Sequence, residues 1–153
     1  MDALVKMRER EGAHLEQDLE TRIKVVRQAV GRIDKEAPQV VERHRQNLLD
    51  RVKAAGVQVS GMEDERLLKE VVFFADRSDI SEELTRLQSH FQQFDDCLKS
   101  VEPVGRTLDF LAQEMNREVN TIGSKANDPR ISKDVVVLKT ELERFREQVQ
   151  NVE

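Results

Sequence analysis

The sequence has little of what holds small secreted proteins together: one cysteine, six phenylalanines, and no tryptophan or tyrosine among 153 residues. The single cysteine, Cys97, excludes an internal disulfide bond. No apolar run approaches the roughly 20 residues that a membrane-spanning helix needs. The charged N-terminus, MDALVKMRERE, lacks the apolar stretch of a signal peptide. We therefore expect a protein of the cytoplasm with no place in a membrane.

Charge dominates the composition instead, with 36% charged residues and a net charge of −5. So many charges with so few aromatics are typical of long exposed helices or of disorder, and the regular apolar spacing excludes disorder for most of the chain. Residues 1–55 carry 12 Lys and Arg against 10 Asp and Glu, whereas residues 56–153 carry 13 against 20. An acidic half argues weakly against a nucleic-acid coat protein, but carboxylates that hold a divalent metal can still face phosphates.

Apolar residues recur at helical spacing, which predicts an all-α fold of long antiparallel helices in a bundle or in helical hairpins. A first helix is predicted for residues 2–37 and a second from Pro38, because proline disrupts a helix interior. Further helices are predicted over residues 63–75, 80–101, 104–122 and 131–153. We predict no strand.

The glycines near residue 56 suggest two units. These are a long N-terminal helical hairpin at residues 1–56 and a C-terminal helical domain at residues 57–153, with residues 57–61 as the linker. Asp79 and Glu82 have the spacing of a capping box, and Gly123 is predicted to end a helix. Strict 4-3 apolar spacing in the helices that begin near residues 80 and 131 indicates seams between long helices.

Polar residues form a second stripe beside the apolar one on two of these helices. A stripe at the edge of a seam is partly buried, so its charged groups must pair or bind an ion. Glu114 and Glu118 project side by side, and His90 from the next helix could complete a divalent-metal site. Such a metal activates water and neutralises phosphate. The stripe consists of Glu83, Arg86, His90, Gln93 and Cys97 on one helix and Glu114, Glu118, Thr121 and Lys125 on the other.

Simpler interpretations of the same residues stay open. Two Glu four residues apart are commonly solvated or paired with Lys or Arg. His90 could be a hydrogen-bonded packing residue, and Cys97 a small apolar one. Basic residues of the N-terminal half could follow an RNA backbone or form a solvated face; they are Arg22, Lys24, Arg27, Arg32, Arg43, Arg45, Arg51 and Lys53.

Two segments carry a resemblance to a known family. The first is EVVFFADRSDISEELTRL at residues 70–87, continuing through Ser89-His90 to Phe94, and the second is GRTLDFLAQEMNREVNTIGSK at residues 105–125. The chain ends in REQVQNVE. On these segments the sequence resembles the C-terminal half of the YicC family. Val119 and Thr107 depart from the family's usual small residue and lysine without removing a polar candidate.

The resemblance implies a metal-dependent endoribonuclease that uses Mn²⁺ or Mg²⁺ and encloses RNA within a homo-oligomeric ring, a hexamer. Motif residues carried over by position are Asp76, Arg77, Asp79, Glu82, Glu83, Arg86, His90, Arg106, Asp109, Glu114, Asn116, Arg117, Glu118 and Lys125. Among them we assign catalysis to Glu83, His90, Glu114 and Glu118, metal binding to His90, Glu114 and Glu118, and RNA phosphate binding to Arg77, Arg86, Arg106, Arg117 and Lys125.

Proteins of this family are about twice as long, and their N-terminal domain has no counterpart here. The alternative hypothesis is therefore a non-catalytic helical oligomerisation or scaffold module that needs the absent domain for activity. An isolated RNA-binding adaptor fits the acidic C-terminal half poorly.

Overall fold

The computed structural model describes residues 2–56 and 64–151 and shows five helices in that part of the chain. They are α1 (Asp2–Ala54), α2 (Glu65–Arg77), α3 (Ser81–Lys99), α4 (Gly105–Lys125) and α5 (Pro129–Gln150). The described ranges contain no strand, so the all-α prediction is confirmed. The predicted linker, residues 57–61, lies outside the described residues. None of the described helices combines the length and the hydropathy that a membrane crossing requires.

The core is one apolar cluster that all five helices share. The main helix pairs are α1–α5, α4–α5 and α3–α4, so α5 lies between α1 and α4. Phe94 of α3 reaches Phe145 of α5 in an edge-to-face contact with ring centroids 5.8 Å apart. The stripe predicted for α5 is buried from Ile131 to Val149, which fits its 4-3 spacing. Val101, the last residue of the helix predicted over residues 80–101, lies beyond the end of α3 and is fully exposed.

Ion pairs show that α1 and α5 run antiparallel. As the residue numbers rise along α1, those of the paired residues fall along α5. The pairs are Arg22–Glu141, Arg32–Asp134 and Arg43–Asp128, the last with Asp128 immediately before the first residue of α5.

The predicted break at Pro38 is wrong, because α1 continues through this residue and residues 2–54 form one helix rather than a hairpin. Proline removes one backbone hydrogen bond from a helix interior. Packing on both sides offsets that loss, since Ile33 is completely buried and Val40 is 5% exposed. The helix therefore continues through an unfavourable position because of its contacts with the core.

The end of α4 differs from the prediction. Gly123 does not end α4, which continues to Lys125. A Cβ atom at Gly123 would lie 3.2 Å from Val135 Cγ1, so glycine permits the close approach of α4 and α5. The chain then turns at Asn127, whose φ is +46°. Asp128 caps α5 through its side chain, which accepts hydrogen bonds from the backbone N–H groups of the second and third residues of that helix.

The predicted capping box is wrong, because Ile80 rather than Asp79 stands at the N-cap of α3 and makes no side-chain cap. Asp79 Oδ1 accepts hydrogen bonds from the N–H and the hydroxyl of Ser81 at 3.0 and 2.6 Å. These bonds lower the pKa of Asp79 below its usual value. Glu82, the predicted partner in the box, instead pairs with Arg86 at 3.4 Å.

The ring of His44 joins α2 to α1. It stacks on Phe74 with centroids 3.6 Å apart and planes 8° from parallel, and its Nε2 is buried with no hydrogen-bond partner among the described residues. Burial lowers the pKa of His44, and the charges of Arg77 and Arg51 act in the same direction while that of Glu70 opposes them. The folded state therefore favours the neutral imidazole.

We expect acid to weaken this contact. The pKa of His44 in the folded state lies below its value of about 6.5 in the unfolded state. As the pH falls through about 6.5, the unfolded state therefore binds more protons than the folded state, and the free energy of unfolding decreases. Urea denaturation at pH 7.5 and 5.5 measures the decrease, which should be smaller in His44→Phe. His14, an exposed histidine on the same helix, supplies the control His14→Gln. An equal pH dependence in wild type and His44→Phe would contradict the assignment.

Candidate functional site

Polar side chains from α3 and α4 meet along the edge of the seam between these helices. Glu83 on α3 accepts a hydrogen bond from Lys125 Nζ on α4 at 2.7 Å. Arg86 on α3 donates from Nε to Glu118 Oε1 on α4 at 2.9 Å. The helices run antiparallel, so the two pairs lie one after the other along the seam. We call these four residues the seam network.

Arg86 joins the two pairs into one network. Its second guanidinium nitrogen, Nη2, lies 3.5 Å from Glu83 Oε1. The Glu83 side chain is 2% exposed and that of Glu118 is 8% exposed, whereas Arg86 is 49% and Lys125 37% exposed. Two buried carboxylates thus hold two cations whose outer parts reach solvent.

The network is electrically balanced and keeps its cations charged. The hydrogen bond to Glu83 is the main reason that the pKa of Lys125 is raised. The hydrogen bond to Glu118 likewise raises the pKa of Arg86. A buried carboxylate without such a partner would be strongly unfavourable. The arrangement therefore holds the exposed ends of two cations in fixed positions at the surface, where Arg86 also pairs with the exposed Glu82 at 3.4 Å.

Some polar atoms near the network have no partner. Glu83 Oε2 and both ring nitrogens of His90 are buried and make no hydrogen bond with any residue that the structure describes. His90 lies one helical turn beyond Arg86 on α3. These atoms could take part in proton transfer or bind a further group.

The metal site predicted from the sequence is not assembled by this part of the molecule. Residues 2–56 and 64–151 contain no group of three or more His, Cys, Asp or Glu side chains that could hold a metal ion. One reason is that Glu118 turns to Arg86. Glu114 is half-buried, and no hydrogen bond or ion pair joins it to His90 or Glu118 in the described structure. The side chains of His90, Glu114 and Glu118 therefore do not come together as a metal site in the described structure, and metal binding by them stays a prediction.

The other predicted phosphate-binding residues are not members of the seam network. Arg77 ends α2 and its guanidinium lies over the rings of Phe73 and Phe74, 5.3 and 5.7 Å from their centroids. Arg106 in the first turn of α4 and Arg117 in its middle are exposed. Of the predicted RNA-binding set, Arg86 and Lys125 are the two that the described ion pairs join, through Glu83.

One further stripe residue and one further motif residue have structural explanations. Cys97 is half-buried beside the core, and burial raises the pKa of its thiol, as expected of a small apolar residue. Asp109, carried over from the family motif, is paired with Arg146 of α5 at 3.1 Å. Neither is free for chemistry at the seam.

One feature of the surface has no counterpart in the sequence prediction. A cavity of about 510 Å³ lies between the middle of α1 and the turn that joins α2 to α3. Pro38 is in its wall, and a proline within a helical pattern was the only signal that could have indicated it. The lining residues are Asp34, Ala37, Pro38, Val41, Ala75, Ser78, Asp79, Ile80, Ser81, Leu84, Thr85 and Gln88.

The chain matches known proteins along almost its whole length. Residues 33–153 match the family model described as "Endoribonuclease YicC-like, C-terminal". The chain is 42% identical over 155 residues to the "Probable endoribonuclease YicC" of Clostridioides difficile (strain 630), covering 99% of this chain and 53% of that protein. It is 36% identical over 149 residues to the protein of the same name from Haemophilus influenzae (strain ATCC 51907 / DSM 11121 / KW20 / Rd), covering 97% and 51%. The chain spans about half the length of these curated relatives.

Proposed function

Because this chain belongs to the YicC-like endoribonuclease family, we propose that it forms the C-terminal part of an enzyme that cleaves RNA. The match of the family model to residues 33–153 is the observation that carries this proposal. The two relatives named as endoribonucleases support the reaction class, hydrolysis or transesterification of RNA phosphodiester bonds. A homo-oligomeric ring and a cytoplasmic location stay predictions of the family resemblance.

We place the phosphate contact at the seam network. Arg86 and Lys125 are fixed by hydrogen bonds on their inner side and exposed on their outer side. Fixed cations stabilise charge that develops on a phosphate without having to reorganise during the reaction. Glu83 and Glu118 act here as positioning residues, since their exposed fractions of 2% and 8% leave little surface for direct contact with RNA.

His90 and Glu114, the remaining residues of the predicted catalytic set, supply the titratable groups of the proposed site. His90 has two ring nitrogens without a partner in the described structure, and imidazole is the side chain best suited to proton transfer near neutral pH. The family's use of Mn²⁺ or Mg²⁺ stays a prediction. Because the described side chains do not form a complete ligand set, the proposal assigns no step to a metal.

The decisive experiment is RNA cleavage by the purified 153-residue chain with Mn²⁺, with Mg²⁺ and with EDTA. We expect cleavage that EDTA abolishes, and its loss in Glu114→Ala/Glu118→Ala. Lys139→Gln, an exposed change on α5 far from the seam in sequence, serves as the control. Cleavage that persists in EDTA would contradict the predicted metal dependence but not the proposed RNA cleavage. No cleavage by a folded sample under any of these conditions would contradict the proposal that this part of the protein is catalytic by itself.

One observation favours the alternative, a non-catalytic oligomerisation or scaffold module. Helix α2 exposes three large apolar side chains, Leu68 at 42%, Val72 at 59% and Phe73 at 60%. Apolar patches of this kind commonly mark protein contacts. A chain that assembles without cleaving RNA in the experiment above would support this reading.

A further inference from the structure

The cavity beside Pro38 has an unusual balance of hydrogen-bonding groups. Three hydroxyl groups line it, and each donates its hydrogen within the protein. Ser78 Oγ donates to the Phe74 carbonyl at 2.7 Å and Thr85 Oγ1 to the Ser81 carbonyl at 2.9 Å. Ser81 Oγ donates to the carboxylate of Asp79 at 2.6 Å. A hydroxyl has one hydrogen and two lone pairs, so these groups can only accept hydrogen bonds from a ligand.

Pro38 adds another acceptor. In a regular helix the carbonyl of Asp34 would accept a hydrogen bond from the N–H of residue 38, but proline has no N–H. Both Asp34 and Pro38 are part of the cavity wall. The Asp34 residue therefore contributes a carboxylate and a backbone carbonyl that lacks its usual helical donor.

The charged side chains that line the cavity are all acidic. Asp34 and Asp79 are its charged residues, and the lining includes no lysine or arginine. The neighbouring cation, Lys125, lies 3.5 Å from the Asp79 carbonyl but is bound to Glu83 at 2.7 Å. Among the lining side chains that the structure describes, Gln88 alone has an amide to donate. Such a lining attracts a cation with several N–H donors.

The remaining walls are apolar and suit a flat or extended group. Ala37, Pro38 and Val41 come from α1, Ile80 lies immediately before α3, and Leu84 lies in the first turn of α3. A guanidinium is planar, carries five N–H donors and is weakly hydrated, so it can lie against apolar surface while its edge meets a carboxylate. An ammonium is smaller and holds its water more strongly.

We propose that this cavity is a binding site for a guanidinium group, with the Asp34 carboxylate and the Asp34 carbonyl as its main acceptors. The group is supplied either by a small organic cation or by an arginine side chain of a polypeptide. This site shares no residue with the seam network, which it adjoins where Lys125 Nζ lies 3.5 Å from the Asp79 carbonyl, and its proposed binding does not depend on RNA cleavage.

Isothermal titration calorimetry with two ligands tests the proposal and identifies the source. Agmatine represents the small cation, and N-acetyl-arginine amide represents the side chain as a polypeptide presents it. We expect at least one of them to bind, and the tighter ligand assigns the source. N-acetyl-citrulline amide has the same shape with a neutral urea group, and we expect it not to bind. Binding of neither guanidinium ligand, or equal binding of the citrulline compound, would overturn the proposal.

Two substitutions of lining residues are expected to weaken binding of the guanidinium ligand. Asp34→Asn should weaken binding about tenfold, because it removes a charge-assisted hydrogen bond. Pro38→Ala should weaken it about fivefold, because the new N–H at residue 38 engages the Asp34 carbonyl. Alanine favours helix, so a lower affinity in Pro38→Ala does not arise from unfolding.

Asp50→Asn is the matched control, since it removes the same charge from an exposed position on α1 outside the cavity. We expect wild-type affinity for this variant. If Asp50→Asn weakened binding as much as Asp34→Asn, the attraction would be general rather than local and the site would be refuted. Wild-type affinity in either Asp34→Asn or Pro38→Ala would refute the assigned acceptors in the same way.

Discussion

Replacing Arg86 by alanine is expected to lower kcat/KM for RNA cleavage about 100-fold, the size of effect seen when one fixed donor to a developing charge is lost. Arg86 donates to Glu118 at 2.9 Å and is 49% exposed, so it is both fixed and accessible to a phosphate. Arg86→Lys should retain part of the activity, because lysine keeps the charge but lacks the planar fork of donors. The measurement is steady-state cleavage of a labelled RNA under the conditions that support wild-type activity.

A loss of folding must be separated from a loss of chemistry, because Arg86→Ala leaves the buried Glu118 without its partner. The double variant Arg86→Leu/Glu118→Leu removes both charges and should recover stability relative to Arg86→Ala, since it leaves no unpaired carboxylate buried at residue 118. We expect this variant to fold and to remain inactive. Cleavage at the wild-type rate by the folded double variant would remove Arg86 from the proposed site.

Phe145→Ala is expected to lower the free energy of unfolding by about 3–5 kcal/mol, the usual range for a buried phenylalanine. Phe145 is completely buried and contacts Phe94 edge to face, which joins α5 to α3 across the core. The loss combines the transfer of the ring from the core with the cavity left behind. Urea denaturation followed by circular dichroism measures it.

Phe110 provides the control, because it is 57% exposed on α4. We expect Phe110→Ala to change stability by no more than about 0.5 kcal/mol. A double-mutant cycle of Phe94→Ala and Phe145→Ala should show a coupling of about 0.5–1.5 kcal/mol for the ring pair. Equal effects of Phe145→Ala and Phe110→Ala would contradict the packing described for the core.

Much of the fold could be predicted from the sequence, because the information is local. The 4-3 spacing from Ile131 to Val149 specifies one buried face of a helix, and these residues are buried in the structure. The pair Asp128-Pro129 likewise predicts a helix start from neighbouring residues alone. Aspartate caps the backbone N–H groups of the first turn, and proline is favoured at the first helical position. The exception was Pro38. Its local preference is a break, but core contacts of Ile33 and Val40 outweigh it.

The candidate site was less predictable, because its pairs are distant in sequence. The polar stripe could be predicted from helical spacing, but the spacing does not specify which charged side chain of α3 pairs with which side chain of α4. Glu118 was expected to bind metal with His90, yet it meets Arg86, 32 positions earlier. Desolvation is the reason for this choice, since a buried carboxylate needs a compensating cation and Arg86 lies within reach. The cavity beside Pro38 was likewise hidden, because its walls come from three helices and a turn.

The pairing of α1 with α5 has a consequence for synthesis on the ribosome. The face of α1 that includes Val26, Val30 and Ile33 is completely buried, and α1 packs chiefly against α5, which is made after all the other described helices. Residues 55–150 must therefore be translated before that face is covered, which takes on the order of ten seconds at ordinary elongation rates. During this interval the nascent chain exposes an apolar stripe on its longest helix. Chaperones that bind such stripes, and the speed of translation through α4 and α5, should then govern how much of the protein reaches its native state.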